Sequence, residues 1–205
     1  MLLCDIGNTS YHFYDGSSTQ RYDIHDFVPE EITKQVCYIN VNANVHQRLK
    51  ELENWMDLGL HVKRDTYYET MGIDRIMACE ALEEGVVMDA GSAITVDVMQ
   101  QGIYQGGFIY PGVKAMHNAY AALSSRLEYA FNFDIDLGKM PKNSQDAITY
   151  GFLATLKAAV MRFDAPLILT GGDAFLLAPH FPDAVIDELL LFKGMQKIID
   201  KGHLC

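Results

Sequence analysis

Residues 2–10 read "LLCDIGNTS" and residues 86–98 read "VVMDAGSAITVDV". Both stretches begin as an apolar run that stops at an acid, continue through a glycine and small polar residues, and turn apolar or aromatic again. In an ungapped comparison Asp5 matches Asp89, Gly7 matches Gly91 and Asn8 falls at Ser92. Each stretch has the pattern of a buried strand, a sharp turn and a returning strand. A single turn of this composition needs no explanation beyond reversing the chain. A second copy points to a duplicated domain.

The surroundings of the two hairpins are also alike. After residues 1–6, the runs 10–14 and 20–24 are expected as strands, followed by a weak helix near 29–34 and the strand "VCYINV" at 36–41. Val45, Leu49, Leu52 and Met56 recur at helical spacing over 44–56, "GLHV" at 59–62 reads as a short strand, and 72–84 reads as a helix. The second copy continues through "IYQGGFIYPG" at 103–112, a helical pattern from Val113 to Leu127, a loop around Pro141 and a helix over 145–163. The strand "LILT" at 167–170 and an amphipathic helix over 187–201 close the pattern. Strands alternating with helices imply an α/β fold. The expected division is 1–84 and 85–205, meeting near Glu84–Gly85.

Composition limits the partners. A chain of 205 residues that is 49% hydrophobic buries a sizeable core. The formal net charge of -11 argues against nucleic acid or an anionic membrane and in favour of small molecules. An anionic ligand would then need cations gathered around it. The apolar start lacks the basic residues and the length of a signal peptide. Cys4, Cys37, Cys79 and Cys205 are scattered without CxxC spacing, which fits a reducing, cytoplasmic setting.

The turns suggest phosphate chemistry. Gly7 lets backbone approach a ligand, and the N–H groups of the turn with Asn8, Thr9 and Ser10 can form an anion-binding concavity. Asp5 repels phosphate directly. It suits a hydrated Mg²⁺ held between the two, because that ion keeps its waters and takes one or two carboxylates plus phosphates. "TGGDA" at 170–174 is a glycine-rich turn after a short strand, a weak signal by itself.

Five blocks in order, "DIGNT" (5–9), "GIDR" (72–75), "DAGSAITVD" (89–97), "GGFIYPG" (106–112) and "NSQDAITYG" (143–151), resemble the type III pantothenate kinases. These belong to the superfamily of acetate and sugar kinases, Hsp70 and actin. The resemblance implies a duplicated ribonuclease-H-like fold of two domains with a nucleotide cleft between them. It implies a homodimer that uses ATP to phosphorylate the primary hydroxyl of pantothenate, the first step of coenzyme A biosynthesis. It assigns Asp5, Ile6, Gly7, Asn8, Thr9 and Ser10 to one phosphate loop and Gly91 and Ser92 to a second. Gly72, Ile73, Asp74 and Arg75 would hold the acyl substrate, with Asp74 as general base. Asp89 would bind K⁺ or NH₄⁺, and Ser144 stands where the family has a threonine that helps bind pantothenate from the neighbouring subunit. A tyrosine before "GIDR" would also touch substrate, and both Tyr67 and Tyr68 qualify.

Two departures stand out. The family often has a lysine shortly after "DIGNT", where this chain has His12, and Ser92 replaces a threonine. Other readings compete at several residues. Asp74 at a helix start is also a cap or dipole partner, and Arg75 also suits a surface acid. Asp97 and Asp134 are expected as solvated acids and His117 as structural. Met71 and Met77 are expected as core or interface filling, and Tyr110, Tyr120 and Phe131 as core or dimer-interface anchors. The rival functions are another small-molecule kinase or exopolyphosphatase of the superfamily, and a non-catalytic ATP-binding regulator.

Overall fold

The structure is a computed structural model and describes residues 1–204. It contains two five-stranded mixed sheets, one in each of two compact units. The first unit comprises Met1–Glu83 and the segment from Leu189 onward; the second is Glu84–Glu188.

In the first unit, β1 (Leu2–Ile6), β2 (Ser10–Tyr14) and β3 (Thr19–Asp23) form an antiparallel meander, and β4 (Val36–Asn40) pairs in parallel with β1. After a short helix α1 (His46–Lys50), β5 (Trp55–Asp57) pairs in parallel with β4, giving the order β3-β2-β1-β4-β5. Helix α2 (Ile73–Glu80) follows. One sheet face buries Cys4, Ile6, Tyr11, Phe13, Val36 and Tyr38 against Leu49 of α1. The aromatic side chains of Tyr11 and Phe13 pack there with Phe27 and Trp55.

The second unit repeats this plan. Strands β6 (Gly85–Ala90), β7 (Ala93–Gln100) and β8 (Ile103–Pro111) form the meander. Helices α3 (Val113–Leu123) and α4 (Ser144–Val160) lead to β9 (Leu167–Thr170), parallel to β6. A one-turn helix α5 (Ala174–Leu177) precedes β10 (Val185–Ile186), and the order is β10-β9-β6-β7-β8. Val86, Met88, Ile94 and Val96 face Phe152, Leu153 and Leu156 of α4 in the core.

Helix α6 (Leu190–Gly202) departs from a continuous second domain over 85–205: it packs on α2 and β1 of the first unit. Its apolar stripe of Leu190, Phe192, Met195, Ile198 and Ile199 is buried, and burying such a stripe is what stabilises an amphipathic helix. A side chain at Gly194 would strike the backbone carbonyl of Met77, so glycine lets the two helices touch. Lys197 reaches Glu83 at 2.7 Å and Lys201 reaches Glu80 at 3.0 Å.

Other local expectations change too. Residues 58–61 form a 3₁₀ turn, because the Asp57 carboxylate accepts from the Gly59 N–H at 2.8 Å and ends the strand one step earlier. The helical spacing over 44–56 yields only α1, since Trp55 and Met56 pair with Val36 and Cys37 in the sheet. Asp97 is buried in β7 between Val87 and Gly107 rather than solvated, as expected of a central strand position. Asp134 is exposed. Met71 and Met77 are core residues of the first unit.

Candidate functional site

The turn after β1 is built from Gly7, Asn8 and Thr9, closed by the Gly7 N–H donating to the Ser10 carbonyl at 3.0 Å. Thr9 and Ile6 are fixed through their carbonyls, which accept from Ile24 and Val41 at 3.0 Å each. Beneath the turn lies Asn42, only 5% exposed, whose amide donates to the carbonyls of Gly7 and Asn8 at 3.4 Å. The Asn42 Oδ1 in turn accepts from the Asn44 N–H at 2.9 Å. Sequence reasoning missed Asn42; the signal was the asparagine-rich run "NVNAN" at the end of β4. Asn8 and Thr9 are exposed, Asp5 is partly exposed, and the side chain of Ile6 lies in the core. A side chain at Gly7 would meet nothing closer than 3.8 Å, so packing within the chain does not demand glycine there. Open space above exposed backbone is what a phosphate loop offers.

The turn after β6 differs in length. Four residues, 7–10, separate the paired Ile6 and Tyr11, but three, 91–93, separate Ala90 and Ile94. Asp5 and Asp89 therefore correspond, while the returning strands are offset by one residue from the ungapped match. The offset matters because Tyr11 and Ile94 both point into their cores. Two further segments close on this turn. A side chain at Gly112 would strike the carbonyls of Gly91 and Ser92. Gly171 has φ +87 in the left-handed region, and a side chain there would strike the Asp89 carboxylate and the Ala90 carbonyl. The Asp173 N–H donates to the Ala90 carbonyl at 2.9 Å, and partial burial raises the Asp173 carboxyl above its usual pKa. "TGGD" is thus an integral wall around Asp89.

Helix α2 carries the "GIDR" block. Gly72 is its N-cap, and a side chain there would collide with the Asp74 carboxylate. The bare glycine lets Asp74 Oδ1 fold back and accept from the Arg75 N–H at 2.8 Å. Ile73 is buried and holds the helix start in the core. Arg75 is 6% exposed, which sets aside a surface pairing. Its Nη1 donates to the Tyr68 hydroxyl at 2.5 Å, with the guanidinium 5.8 Å from the centre of the Tyr68 ring. Tyr68 is 44% exposed, whereas the buried Tyr67 gives its hydroxyl to Glu80 at 3.0 Å. The structure therefore joins Tyr68, Asp74 and Arg75 in one cluster. An acid beside a cation and a phenol on a half-open surface can accept a proton from an alcohol and pair a carboxylate.

Ser144 is the exposed first residue of α4 in the second unit. The helix start is ordered by Asn143, which accepts from the Asp146 N–H at 2.9 Å, and by Asn132, which donates to Asp146 at 2.8 Å. The Asn132 amide, and the Asn143 amide that donates to Asp146 Oδ2 at 2.6 Å, hold the Asp146 carboxyl below its usual pKa. Tyr110 and Phe131 pack on Phe152 in the core of the second unit, and His117 lies edge-on to Phe131.

Among the described residues no group of three or more histidines, cysteines or acids gathers to hold a metal ion. Asp5 and Asp89 are instead single carboxylates beside turns. That donor set fits ions whose coordination is completed by water and substrate phosphates, not a closed protein cage.

The sequence profile of the type III pantothenate kinases matches residues 28–165. A type III pantothenate kinase from Sulfurimonas denitrificans is 57% identical over 205 residues, covering the whole of both chains. The chain belongs to the type III pantothenate kinases. Within solved structures it is similar to a Campylobacter jejuni protein described as a Baf family transcriptional activator, with TM-score 0.92, 39% identity and full coverage of both chains. A Sinorhizobium meliloti protein described as a 2-dehydro-3-deoxygalactonokinase has TM-score 0.60 at 10% identity over 98% of both chains. That distant likeness concerns the fold alone. As a type III pantothenate kinase this chain is a phosphotransferase, and its family implies ATP as donor.

Proposed function

We propose that this chain transfers the γ-phosphoryl group of ATP to the primary hydroxyl of pantothenate, giving 4'-phosphopantothenate at the start of coenzyme A biosynthesis. The observation that carries the site assignment is the cluster of Asp74, Arg75 and Tyr68 at the start of α2. Arg75 and Tyr68 are placed to take the pantothenate carboxylate, with Gly72 and Ile73 shaping the helix start. Asp74, oriented by the Arg75 N–H, accepts the hydroxyl proton as that oxygen forms its bond to the γ-phosphorus. The bond from the γ-phosphorus to the bridging oxygen breaks and ADP leaves with its electron pair. The turns of Asp5–Ser10 and Gly91–Ser92 bind the phosphates through N–H and hydroxyl groups. Mg²⁺ held by Asp5 through water would neutralise the phosphate charge, with K⁺ or NH₄⁺ at Asp89 serving the same end.

A homodimer is part of this reading. Helix α3 lays Val113 and Met116 against the core of the second unit but buries none of its residues fully, and its Leu123 is 75% exposed. On β8 Ile109 is 64% exposed. An unpartnered apolar face of this kind is what a second copy would cover, and Ser144 would then act as a pantothenate contact across the boundary. A cytoplasmic setting is supported by Cys4, Cys37 and Cys79, which are buried as thiols rather than joined in disulfides. The described helices include none long and apolar enough to cross a membrane. The regulator reading draws on the description of the Campylobacter neighbour, but a net charge of -11 opposes the phosphate contacts that DNA binding requires.

ADP release should be measured with ATP and a panel of pantothenate, acetate, glycerol and sugars, in K⁺ and in Na⁺ buffer, alongside sedimentation. Turnover with pantothenate alone, dependent on K⁺ and by a dimer, is expected. Turnover only with another acceptor would overturn the substrate. Full activity in Na⁺ would remove the Asp89 ion site, and a fully active monomer would remove the dimer.

A further inference from the structure

Neither phosphate-loop segment, "DIGNTS" at 5–10 or "DAGSA" at 89–93, contains a lysine or arginine, and the chain as a whole is strongly acidic. The register shows which cation shares a row with Asp5. Asp5 on β1 lies opposite His12 on β2, and His12 lies opposite Arg21 on β3. Directly opposed residues of antiparallel strands share a sheet face, so Asp5, His12 and Arg21 form one cross-strand row, one pair in from the Ile6–Tyr11 pair that closes the turn. The Arg21 Nη2 lies 3.2 Å from His12 Nδ1. Since arginine only donates, Nδ1 is the acceptor and the imidazole is neutral with its proton on Nε2. Burial, then the charge of Arg21, lowers the His12 pKa to about 4. Phe192 of α6 packs edge-on to the ring at 5.0 Å and fixes its plane.

We infer that Arg21 is the cationic phosphate contact of the first turn, with His12 as the positioning residue that accepts from its guanidinium and holds it on the Asp5 face. The inference rests on the reading of the Asp5–Ser10 turn as an ATP phosphate loop. A guanidinium suits this place, because it remains charged and leaves further N–H groups for phosphate oxygens once one is given to the imidazole. A lysine at position 12 would supply charge from β2 itself. Here a neutral ring on β2 aims a charge that comes from β3.

Arg21→Gln tests the idea, because every residue of β3 is exposed and folding does not depend on this side chain. ATP affinity measured by titration calorimetry in the presence of Mg²⁺ should fall about tenfold, the scale of one charge-assisted contact. The KM for ATP should rise by a similar factor while that for pantothenate stays the same. Arg21→Gln combined with His12→Lys should recover most of the affinity by restoring a cation to the row. Equal ATP affinity in Arg21→Gln and the unaltered protein would overturn the role of Arg21. An Arg21→Gln loss that His12→Lys fails to recover would overturn the assignment to charge in this row. If the unaltered protein binds no ATP, the phosphate-loop reading itself fails, a separable outcome.

Discussion

In the first unit the turn after β1 rests on a side chain, the buried amide of Asn42, and stands open above. In the second unit the shorter turn after β6 rests on backbone, pressed by Gly112 on one side and Gly171 on the other. The acid, the glycine and the small polar apex recur in both, while the support beneath them does not. Two copies of one hairpin have thus kept the groups that can face a ligand and exchanged the scaffolding that holds them. On the proposed reading, binding falls to the turns and proton transfer to α2, outside both.

The sharpest test of that assignment is Asp74→Asn. Asparagine keeps the shape and caps a helix about as well as aspartate, but it cannot accept the hydroxyl proton. Turnover should fall ~10²–10⁴-fold with ATP affinity unchanged. Near-normal turnover in the folded variant would reduce Asp74 to a cap. Next in size is the contrast between glycines. Gly171→Ala adds a methyl against Asp89 and Ala90 at positive φ and should cost about 1–3 kcal/mol, seen as a lower unfolding midpoint. Gly7→Ala has room in the chain and should change stability by no more than ~0.5 kcal/mol, yet weaken ATP binding where the methyl meets the ligand. Equal midpoints for the two variants would break the contrast.

Asn42→Ala should have a smaller effect. Losing two long hydrogen bonds and the shorter one from the Asn44 N–H costs about 1–2 kcal/mol, and the loosened turn should raise the KM for ATP a few-fold while leaving that for pantothenate alone. An unchanged KM would show that the first turn needs no prop. The smallest effect concerns His180 in the second unit, whose Nε2 lies 2.9 Å from the Phe133 carbonyl. Burial lowers its pKa from 6.5, while the Phe133 contact and Asp134 oppose that shift and Lys157 adds to it. The unfolded chain therefore binds the proton first as pH falls. Stability from this group is complete above about pH 6.5 and declines below it as the unfolded state becomes protonated. His180→Gln should flatten that part of the pH dependence of unfolding; an identical pH profile would show that His180 does not contribute.

Local sequence carried the fold because duplication can be read from strands and turns that are continuous in the chain. Both hairpins, the parallel strands β4 and β9 and the helix bearing "GIDR" could be read that way. What escaped depends on distance in sequence. The one-residue difference between the turns is set by cross-strand register, which an ungapped match cannot register. Asn42 acts across 34 and 35 residues on carbonyls that no local pattern connects to it. The choice of Tyr68 over Tyr67 depends on a partner, since Glu80 takes one hydroxyl and Arg75 the other. At 59–62 an apolar run looked like a strand because the capping carboxylate of Asp57 lay just outside it.

Helix α6 gives the first unit an order of assembly. Residues 84–188 leave the ribosome as a continuous stretch, so the second unit is complete in sequence while the first still lacks its closing helix. Helix α2, made early with Asp74 and Arg75 already in place, gains its partner surface only when Gly194 reaches Met77. Domains settle as units once their residues are all available. Of the two units, the one whose residues begin to be made earlier is therefore the one completed in sequence later.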